Sequence, residues 1–596
     1  MLNLTNILSK EQWQRVSTHK RSGALVPLFS VYSKNSLGIG DSADLKLVVD
    51  WAKLTGNSIL QLLPLNELGG FNCPYDSVSS FALEPAYLCL RDIPGFRPEA
   101  LCACPNGGEF VDYSIKKEKL RLLWEIFLPL DLSQADDFEQ FQKDNAYWLV
   151  DFALFKVLKD FYQGKPWYEW PDEFKNHCRQ AIEDFRNQHI EAFTFQLWLQ
   201  WLLFKQFRAV KEYASKNDIL LKGDLPILVS RDSADVWSHP GFFKLDFASG
   251  APPDMYCAKG QRWGMPTYNW QNIRVDGYRY IKEKLKYAEN FYDILRIDHV
   301  VGLFRIWSIP YTDALENQGL NGQFDPKEEY LWQEHGRNIL NILVKNTKML
   351  LCAEDLGMIP KACPEALVEF GIPGNDVQRW IKDWNSRHNF LTASEFRELS
   401  VATLSTHDTT NFNAWWKYEA GTIDEGLFLR KCNERGIDFI RVKADLFDLA
   451  KSFHGRLRWR DEIDSVDKLT WILGRRKEEL SDFIDLYLNS YLEKEKFWQF
   501  LGCSGPLMEE ANDQLLERAI KLTLDSRAIF SIHCITDWLS LGGILKKDAY
   551  NYRINVPGTI SPRNWSLKLP MPLEELLTHP VNKRIFALNL KAKRII

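Results

Sequence analysis

Three carboxylates in this chain each lie at the exit of a short, mainly apolar run. Asp298 ends the run Asp293 to Ile297, where Ile294, Leu295 and Ile297 are apolar, the length expected of a buried strand. Arg296 lies two positions before it and His299 directly after it. A strand repeats every two residues, so Arg296 and Asp298 share a side, and a neighbouring cation favours an ionised carboxylate. An ionised Asp at the exit of an apolar strand suits a covalent nucleophile. Taken alone, the pattern fits a structural Arg–Asp pair better. Glu354 follows Met349 to Ala353, and Asp408 follows Val401 to Ser405 within Thr406-His407-Asp408. Two carboxylates suffice for retaining glycoside chemistry: one attacks, and the other protonates the leaving oxygen and then deprotonates the incoming hydroxyl. Glu354 suits the acid/base role, because an apolar strand end among other carboxylates raises its pKa. Asp408 is expected to clamp ring hydroxyls, with His299 and His407 as donors to the same groups. Asp355 points the other way and is expected to be structural. Each motif also has a plain reading, since EDLG can start a helix and THD can form an N-cap turn.

The elements that must position these groups are short strands separated by helical pattern. Strand one is expected over Gly23 to Val31, strand two over Ser58 to Leu63, and strand three over Ile219 to Leu225, ending near Asp224. Strands four and five precede Asp298 and Glu354, a sixth lies around Asp376 to Trp380, the seventh precedes Asp408, and the eighth is Ala528 to Ile535. Eight such runs predict an α/β fold, a TIM (β/α)8 barrel with helical insertions and no separate C-terminal β-domain; an open parallel sheet is the alternative. In a barrel, catalytic groups sit at the carboxyl ends of strands, and all three carboxylates meet that requirement. The expected division is a lead-in over 1–20, a catalytic barrel over 21–570 with helical insertions at about 112–206 and 415–520, and a tail over 571–596 packing on the barrel. Gly38 and Gly40 imitate a dinucleotide fingerprint, but Ala43 stands where its third glycine belongs; Asp41 instead caps a helix over Asp44 to Thr55. The loop Pro252 to Trp270 carries Tyr256, Trp263 and Tyr268, faces suited to stacking on a sugar, with Gly260 and Gly264 permitting it to move as a lid.

Composition narrows the partners. The chain's 596 residues are 45% hydrophobic, enough for a large core, and the net charge of −5 gives no reason to expect nucleic acid. No apolar run is long enough to span a membrane, and the N-terminus lacks the apolar core of a signal peptide. Eleven cysteines form no paired framework, and Cys102 and Cys104 lie too close together to suggest a zinc site. That pattern fits reduced thiols and a cytoplasmic location. The 22 Trp, 36 Phe and 21 Tyr supply a core and also surfaces that can stack on sugars. A metal-dependent barrel hydrolase needs closely spaced histidines, and strand one has none, so no metal and no cofactor is expected. A glucan-binding barrel without catalysis has no use for Arg296, Asp298 and Glu354 together.

These residues sit in segments that resemble a known family. SLGIGDSADL, CPYDSVSSFALEP, PWYEWP, KGDLPILVSRDSADVW, PPDMYCAKGQRWGMPTYNW, LRIDHVVGLFRIWSIP, AEDLG, STHDTT and YRINVPGT with Asn564-Trp565 resemble the amylomaltases, the 4-α-glucanotransferases also called disproportionating enzymes. The likeness runs from about Ser22 to Leu569. It implies an amylase-type barrel in which Asp298 is the nucleophile, Glu354 the acid/base and Asp408 the transition-state stabiliser. It further implies that Tyr75 stacks on the sugar at the cleaved position, with Ser77 beside it. Asp224, Arg296, His299 and His407 then hold the same ring, while Gln261 and Trp263 lie on a mobile loop over the acceptor side. The implied partners are maltooligosaccharides and glycogen or starch-type glucans, used as donor and acceptor; an amylase-like hydrolase is the alternative. Two departures stand out: Thr409 and Thr410 follow Thr-His-Asp where an Asn-Asp pair is common, and Ala353 stands where glycine is common. The charged insertion before strand eight is similar to that of variants using long glucans or heteroglycans. Those variants often carry N-terminal starch-binding modules, for which a barrel beginning near Arg21 is expected to leave no room.

Overall fold

The computed structural model describes residues 7–100, 108–132, 135–254, 259–384 and 386–595; Cys102, Cys104 and Tyr256 lie outside these described residues. Eight strands form one sheet: β1 (Arg21–Leu25), β2 (Ile59–Gln61), β3 (Leu220–Leu225), β4 (Ile294–Ile297), β5 (Leu350–Ala353), β6 (Gly374–Val377), β7 (Ser400–Thr403) and β8 (Phe530–Cys534). Their spatial order is β5-β4-β3-β2-β1-β8-β7-β6, with every pairing parallel. The two ends of this series meet where the Ala353 amide, at the end of β5, donates to the Pro373 carbonyl, just before β6, at 2.7 Å. The sheet is therefore a nearly closed barrel. Parallel strands covered on both faces must be apolar almost throughout, which is why these runs were legible as strands.

β1 is shorter than the expected Gly23 to Val31. Pro27 lacks an amide for the ladder, and Leu28–Ser30 winds into a 3-10 turn. Within β1, a Cβ on Gly23 would lie 2.5 Å from the Ile59 carbonyl oxygen, so β2 can approach this closely only beside glycine. The following helix, Ser42–Leu54, starts in a capping box: Asp41 accepts from the amides of Ala43 and Asp44, and the Asp44 carboxylate accepts from the Asp41 amide. Two carboxylates occupy the helix start where a dinucleotide would need to place its phosphates.

Between β2 and β3 the chain is mainly helical, with long helices at Asp136–Phe161 and Ile190–Lys216. The second continues past residue 206, nearly to β3, and so serves as the crossover helix of the barrel itself. Its Trp198 and Phe207, with Trp148 and Phe152 of the first helix, belong to the same core as the barrel strands. The insertion before β8 differs. Phe428, Leu446, Phe447, Trp459, Phe483 and Tyr487 form a separate core there, and Thr422–Asp424 pairs with Arg456–Arg458 as an antiparallel ribbon among the helices. A four-stranded antiparallel sheet, in the order Gln323–Asp325, Ile306–Pro310, Phe247–Ala251, Gln261–Arg262, stands beside the barrel and carries the segment that precedes Trp263.

The tail returns beneath the barrel. Arg594 is fully buried and donates to the carbonyls of Arg21, Leu524, Ser526, Ala528 and Ile529 at 2.6–3.3 Å, tying the starts of β1 and β8 together. Hydrogen bonds from a charged donor to buried acceptors are among the stronger ones, and removing the donor leaves the acceptors unpaired. Arg594→Met is expected to cost at least about 3 kcal/mol of folding stability. Urea unfolding checks this, and an unchanged midpoint contradicts it.

Candidate active site

Asp298 and Glu354 leave adjacent strands at the same level, since Ile297 pairs with Ala353 in the β4–β5 register. The strand exits are stitched together: the Glu354 amide donates to Ile297, the Val300 amide to the Glu354 carbonyl, and the His299 amide to Glu354 Oε2 at 2.8 Å. His299 takes a left-handed conformation (φ 43°), which turns the chain sharply after Asp298 and aims that amide at Glu354.

Arg296 is the hub. Its Nη1 donates to both oxygens of Asp224, at 2.7 and 2.8 Å, and to Asp298 Oδ1 at 2.9 Å. Tyr75 donates its hydroxyl proton to Asp224 Oδ2 at 2.8 Å, so the His407 Nε2 lying 3.0 Å from that hydroxyl must be its donor. The Tyr75 ring stacks on His407 with centroids 5.3 Å apart. His407 Nε2 also lies 3.3 Å from Asp408 Oδ2. Asp408 itself ends the turn after β7. All three carboxylates, with Tyr75, Arg296, His299 and His407, line one cleft of about 2200 Å³ at the carboxyl ends of the strands. Asp224 is buried behind Arg296 and Tyr75 and does not itself line the cleft.

The electrostatics separate the carboxylates. Desolvation in the cleft pushes Asp298 up to about 6, against the pull of Arg296 and with the help of the Asp224 and Asp408 charges. Arg296 favours the ionised form, as expected, but desolvation outweighs it, so Asp298 is an anion at neutral pH with a raised rather than a lowered pKa. Glu354 goes further, to about 8, raised by desolvation and by Asp298 despite Arg296, so it carries a proton at neutrality. Desolvation would raise Asp408 too, but His407 and a hydrogen bond from Asn555 hold it down at about 2. Desolvation, then Arg296, lowers His299 to about 4, leaving it neutral. His407 is raised, because Asp408 outweighs desolvation. Asp355 accepts from the Asn375 amide at 2.6 Å and pairs with Arg397, a structural arrangement.

Trp263 lines the cleft, its ring meeting that of His299 edge-on at 4.9 Å and its Nε1 donating to Gln261 Oε1 at 2.9 Å. Two residues read as sugar contacts lie elsewhere. Ser77 is buried, bridged to Leu68 and accepting at its carbonyl from the Ser230 amide, and does not line the cleft. Tyr268 is buried against Phe243, Trp270 and Tyr280, with its hydroxyl accepting from Lys284. Gly260 is packed rather than free: a Cβ there would lie 2.4 Å from the Ala251 carbonyl oxygen.

Sequence reasoning assigned no role to Asn555, whose Nδ2 donates to Asp408 Oδ1 at 2.7 Å, or to Arg553, whose Nη2 donates to the Asp408 carbonyl at 3.0 Å. Nor did it assign one to Trp565, 5.7 Å from the Tyr75 ring, or to Arg379. Arg379 donates to the Thr410 hydroxyl and carbonyl, and the Thr410 hydroxyl donates to Glu419, so the unusual Thr410 is part of the clamp on the Asp408 turn. The polar alternation in YRIN was the available signal for Arg553 and Asn555. Among the described residues, no cluster of three or more His, Cys, Asp or Glu is arranged to hold a metal ion.

The family model described as 4-alpha-glucanotransferase matches residues 26–574. A 4-alpha-glucanotransferase of Chlamydia caviae is 32% identical over 588 residues, covering 97% of this chain and 96% of its own. The 4-alpha-glucanotransferase DPE2 of Oryza sativa subsp. japonica is 36% identical, covering 68% of this chain and 59% of its own length. Among solved structures, the amylomaltase from Streptococcus agalactiae in complex with acarbose superposes with a TM-score of 0.72 at 21% identity, covering 97% of this chain and 100% of that one. At that identity the likeness concerns the fold.

The separation of the carboxylates sets the pH response. An attacking Asp298 must be ionised, so activity is lost as pH falls through about 6; a protonating Glu354 must hold its proton, so activity is lost as pH rises through about 8. A bell-shaped kcat/KM profile with those limbs is expected, and Asp298→Asn and Glu354→Gln are each expected to lower turnover by at least about 10²-fold with an unchanged circular dichroism spectrum. A folded variant retaining near-wild-type rate contradicts the assignment.

Proposed function

We propose, from the premise that the chain belongs to the 4-alpha-glucanotransferase family, that it moves α-1,4-glucan segments between maltooligosaccharides by double displacement with retention. The observation that carries this reading is the placement of two carboxylates at the exits of paired neighbouring strands, Asp298 held by Arg296 and Glu354 by the His299 amide, with burial pushing Glu354 up further than Asp298. Both carboxylates follow positions paired in one register of neighbouring strands, an arrangement compatible with the close pair that retaining chemistry uses.

Asp298 attacks the anomeric carbon while Glu354 gives its proton to the glycosidic oxygen, and the leaving glucan departs with a free 4-hydroxyl. The glycosyl–Asp298 ester remains. Glu354, now a carboxylate, takes the proton from an acceptor hydroxyl, whose oxygen attacks the same carbon and expels Asp298. Positive charge on the ring in both transition states is met by Asp298 and by Asp408, which is held anionic beside His407. Arg296 stabilises the Asp298 carboxylate as it departs, and Tyr75 offers a face to the ring. Glycogen or starch-type glucans serve as long donors and acceptors. The eight described cysteines are all unpaired, which supports a cytoplasmic location; among the described residues no helix is long and apolar enough to cross a membrane.

The ester can also fall to water, present at about 55 M, so transfer prevails only if an acceptor is held in line and water is kept out. Trp263, edge-on to His299 at the cleft wall, is the residue placed to do both. With maltotriose the wild type is expected to release glucose and a ladder of longer maltooligosaccharides with little gain in total reducing ends, and Trp263→Ala to shift the ratio toward hydrolysis. Chromatography with a reducing-end assay tests this: steadily rising reducing ends without longer products mark a hydrolase instead.

A further inference from the structure

We propose that Tyr168, Arg231 and Tyr311 form an outlying sugar platform that holds a glucose unit of a long acceptor glucan, beyond Trp263 and away from the catalytic carboxylates. The proposal rests on the transferase reading above. Its starting point is the segment PWYEWP, whose conspicuous aromatics have no part in the chemistry at Asp298. The segment is bolted down at its first tryptophan. Trp167 is buried, its amide donates to Asp232 Oδ1 at 3.1 Å, its Nε1 donates to the Arg231 carbonyl at 2.8 Å, and Lys159 pairs with Asp232 from the preceding helix. With Trp167 anchored, the next residue is turned outward: Tyr168 lines the cleft and is 38% exposed.

Tyr311 meets it from the other side. It follows the strand Ile306–Pro310, its amide donates to the Asp246 carbonyl at 2.8 Å, and its ring lines the cleft at 40% exposure. The Arg231 guanidinium lies 3.9 Å from the Tyr311 centroid and 5.4 Å from that of Tyr168, and its Nη1 is tied to the Leu245 carbonyl at 2.6 Å. Two half-exposed rings are thus held by one cation before any ligand arrives, which lowers the ordering cost of binding.

The position follows from contacts. Trp263 touches His299, next to Asp298, while its neighbour Arg262 donates to the carbonyls of Tyr311 and Asp313 at 2.8 Å each. From the catalytic centre outward the order is therefore His299, Trp263, Arg262, Tyr311, Arg231, Tyr168. The chemistry selects a neutral sugar. The apolar face of a pyranose packs on tyrosine, and its hydroxyls accept from guanidinium groups, a pairing of ring face and donor that suits a neutral sugar.

A merely structural stack would affect every acceptor alike, whereas a platform is felt only by acceptors long enough to reach it. The test uses maltotriose as donor and compares glucose with reducing-end-labelled maltohexaose as acceptor, in the wild type, Tyr168→Ala and Tyr168→Phe. Tyr168→Ala is expected to raise the KM for maltohexaose about threefold to tenfold more than that for glucose, and Tyr168→Phe, which keeps the ring, to restore most of the difference. An equal change for both acceptors, or no change for either, overturns the platform. A wild type that elongates neither acceptor overturns the transferase reading, and the platform with it.

Discussion

One guanidinium nitrogen organises the site. Arg296 Nη1 reaches two carboxylates from two strands, Asp224 of β3 and Asp298 beyond β4. Arg296 itself is almost fully buried. Such a cation is tolerable inside a barrel only if its partners are fixed and anionic, and the barrel supplies that through register: Asp224 pairs directly with Arg296 across β3 and β4. Tyr75, arriving on the long loop after β2, then has one oriented acceptor waiting for its hydroxyl. His407 follows Tyr75, and Asp408 follows His407, so six side chains from four barrel positions settle in a single hydrogen-bonded series.

That series also explains how three carboxylates in one cleft come to do different work. All are desolvated, which alone would neutralise them. Asp298 is partly rescued by Arg296, Asp408 fully by His407 and Asn555, and Glu354, on which desolvation and the Asp298 charge outweigh Arg296 and the His299 amide, keeps its proton. The division of labour comes from the partner each carboxylate is given, and those partners come from different places: Arg296 from β4, His407 from the turn after β7 and Asn555 from beyond β8. Arg379 and Thr410 secure the Asp408 turn, and the left-handed His299 secures the exit of β4.

The barrel was legible because buried parallel strands are apolar runs ended by polar residues, and the three carboxylates were legible because they are those ends. What the sequence hid were the consequences of long-range packing. Pro27 shortens β1 while its apolar neighbours still read as strand. Tyr268 looks like an exposed loop aromatic until Phe243, Trp270 and Tyr280 close over it, and Ser77 looks like a loop hydroxyl until its bridge to Leu68 turns it inward. The raised pKa of Asp298 depends on enclosure by loops hundreds of residues apart, and local spacing sees only Arg296. Asn555 acts on Asp408 from beyond β8, a distance at which no sequence pattern links them.

The pairing of β1 with β8 has a bearing on how the chain is made. Arg21 lies opposite Phe530, and the five-residue ladder between these strands is completed only after β8 has followed the other seven strands out of the ribosome. Arg594, downstream of β8, then bonds to carbonyls at the start of β1 and just before β8. During synthesis β1 can dock on β2 yet keeps its other edge unpaired, a surface prone to wrong partners in a contact pattern that folds slowly. The separate core of residues 422–491 lets that segment compact by itself meanwhile, which shortens the effective loop between β7 and β8. Closing of the ring thus comes long after β1 is made, and Arg594, downstream of β8, is the residue that latches it.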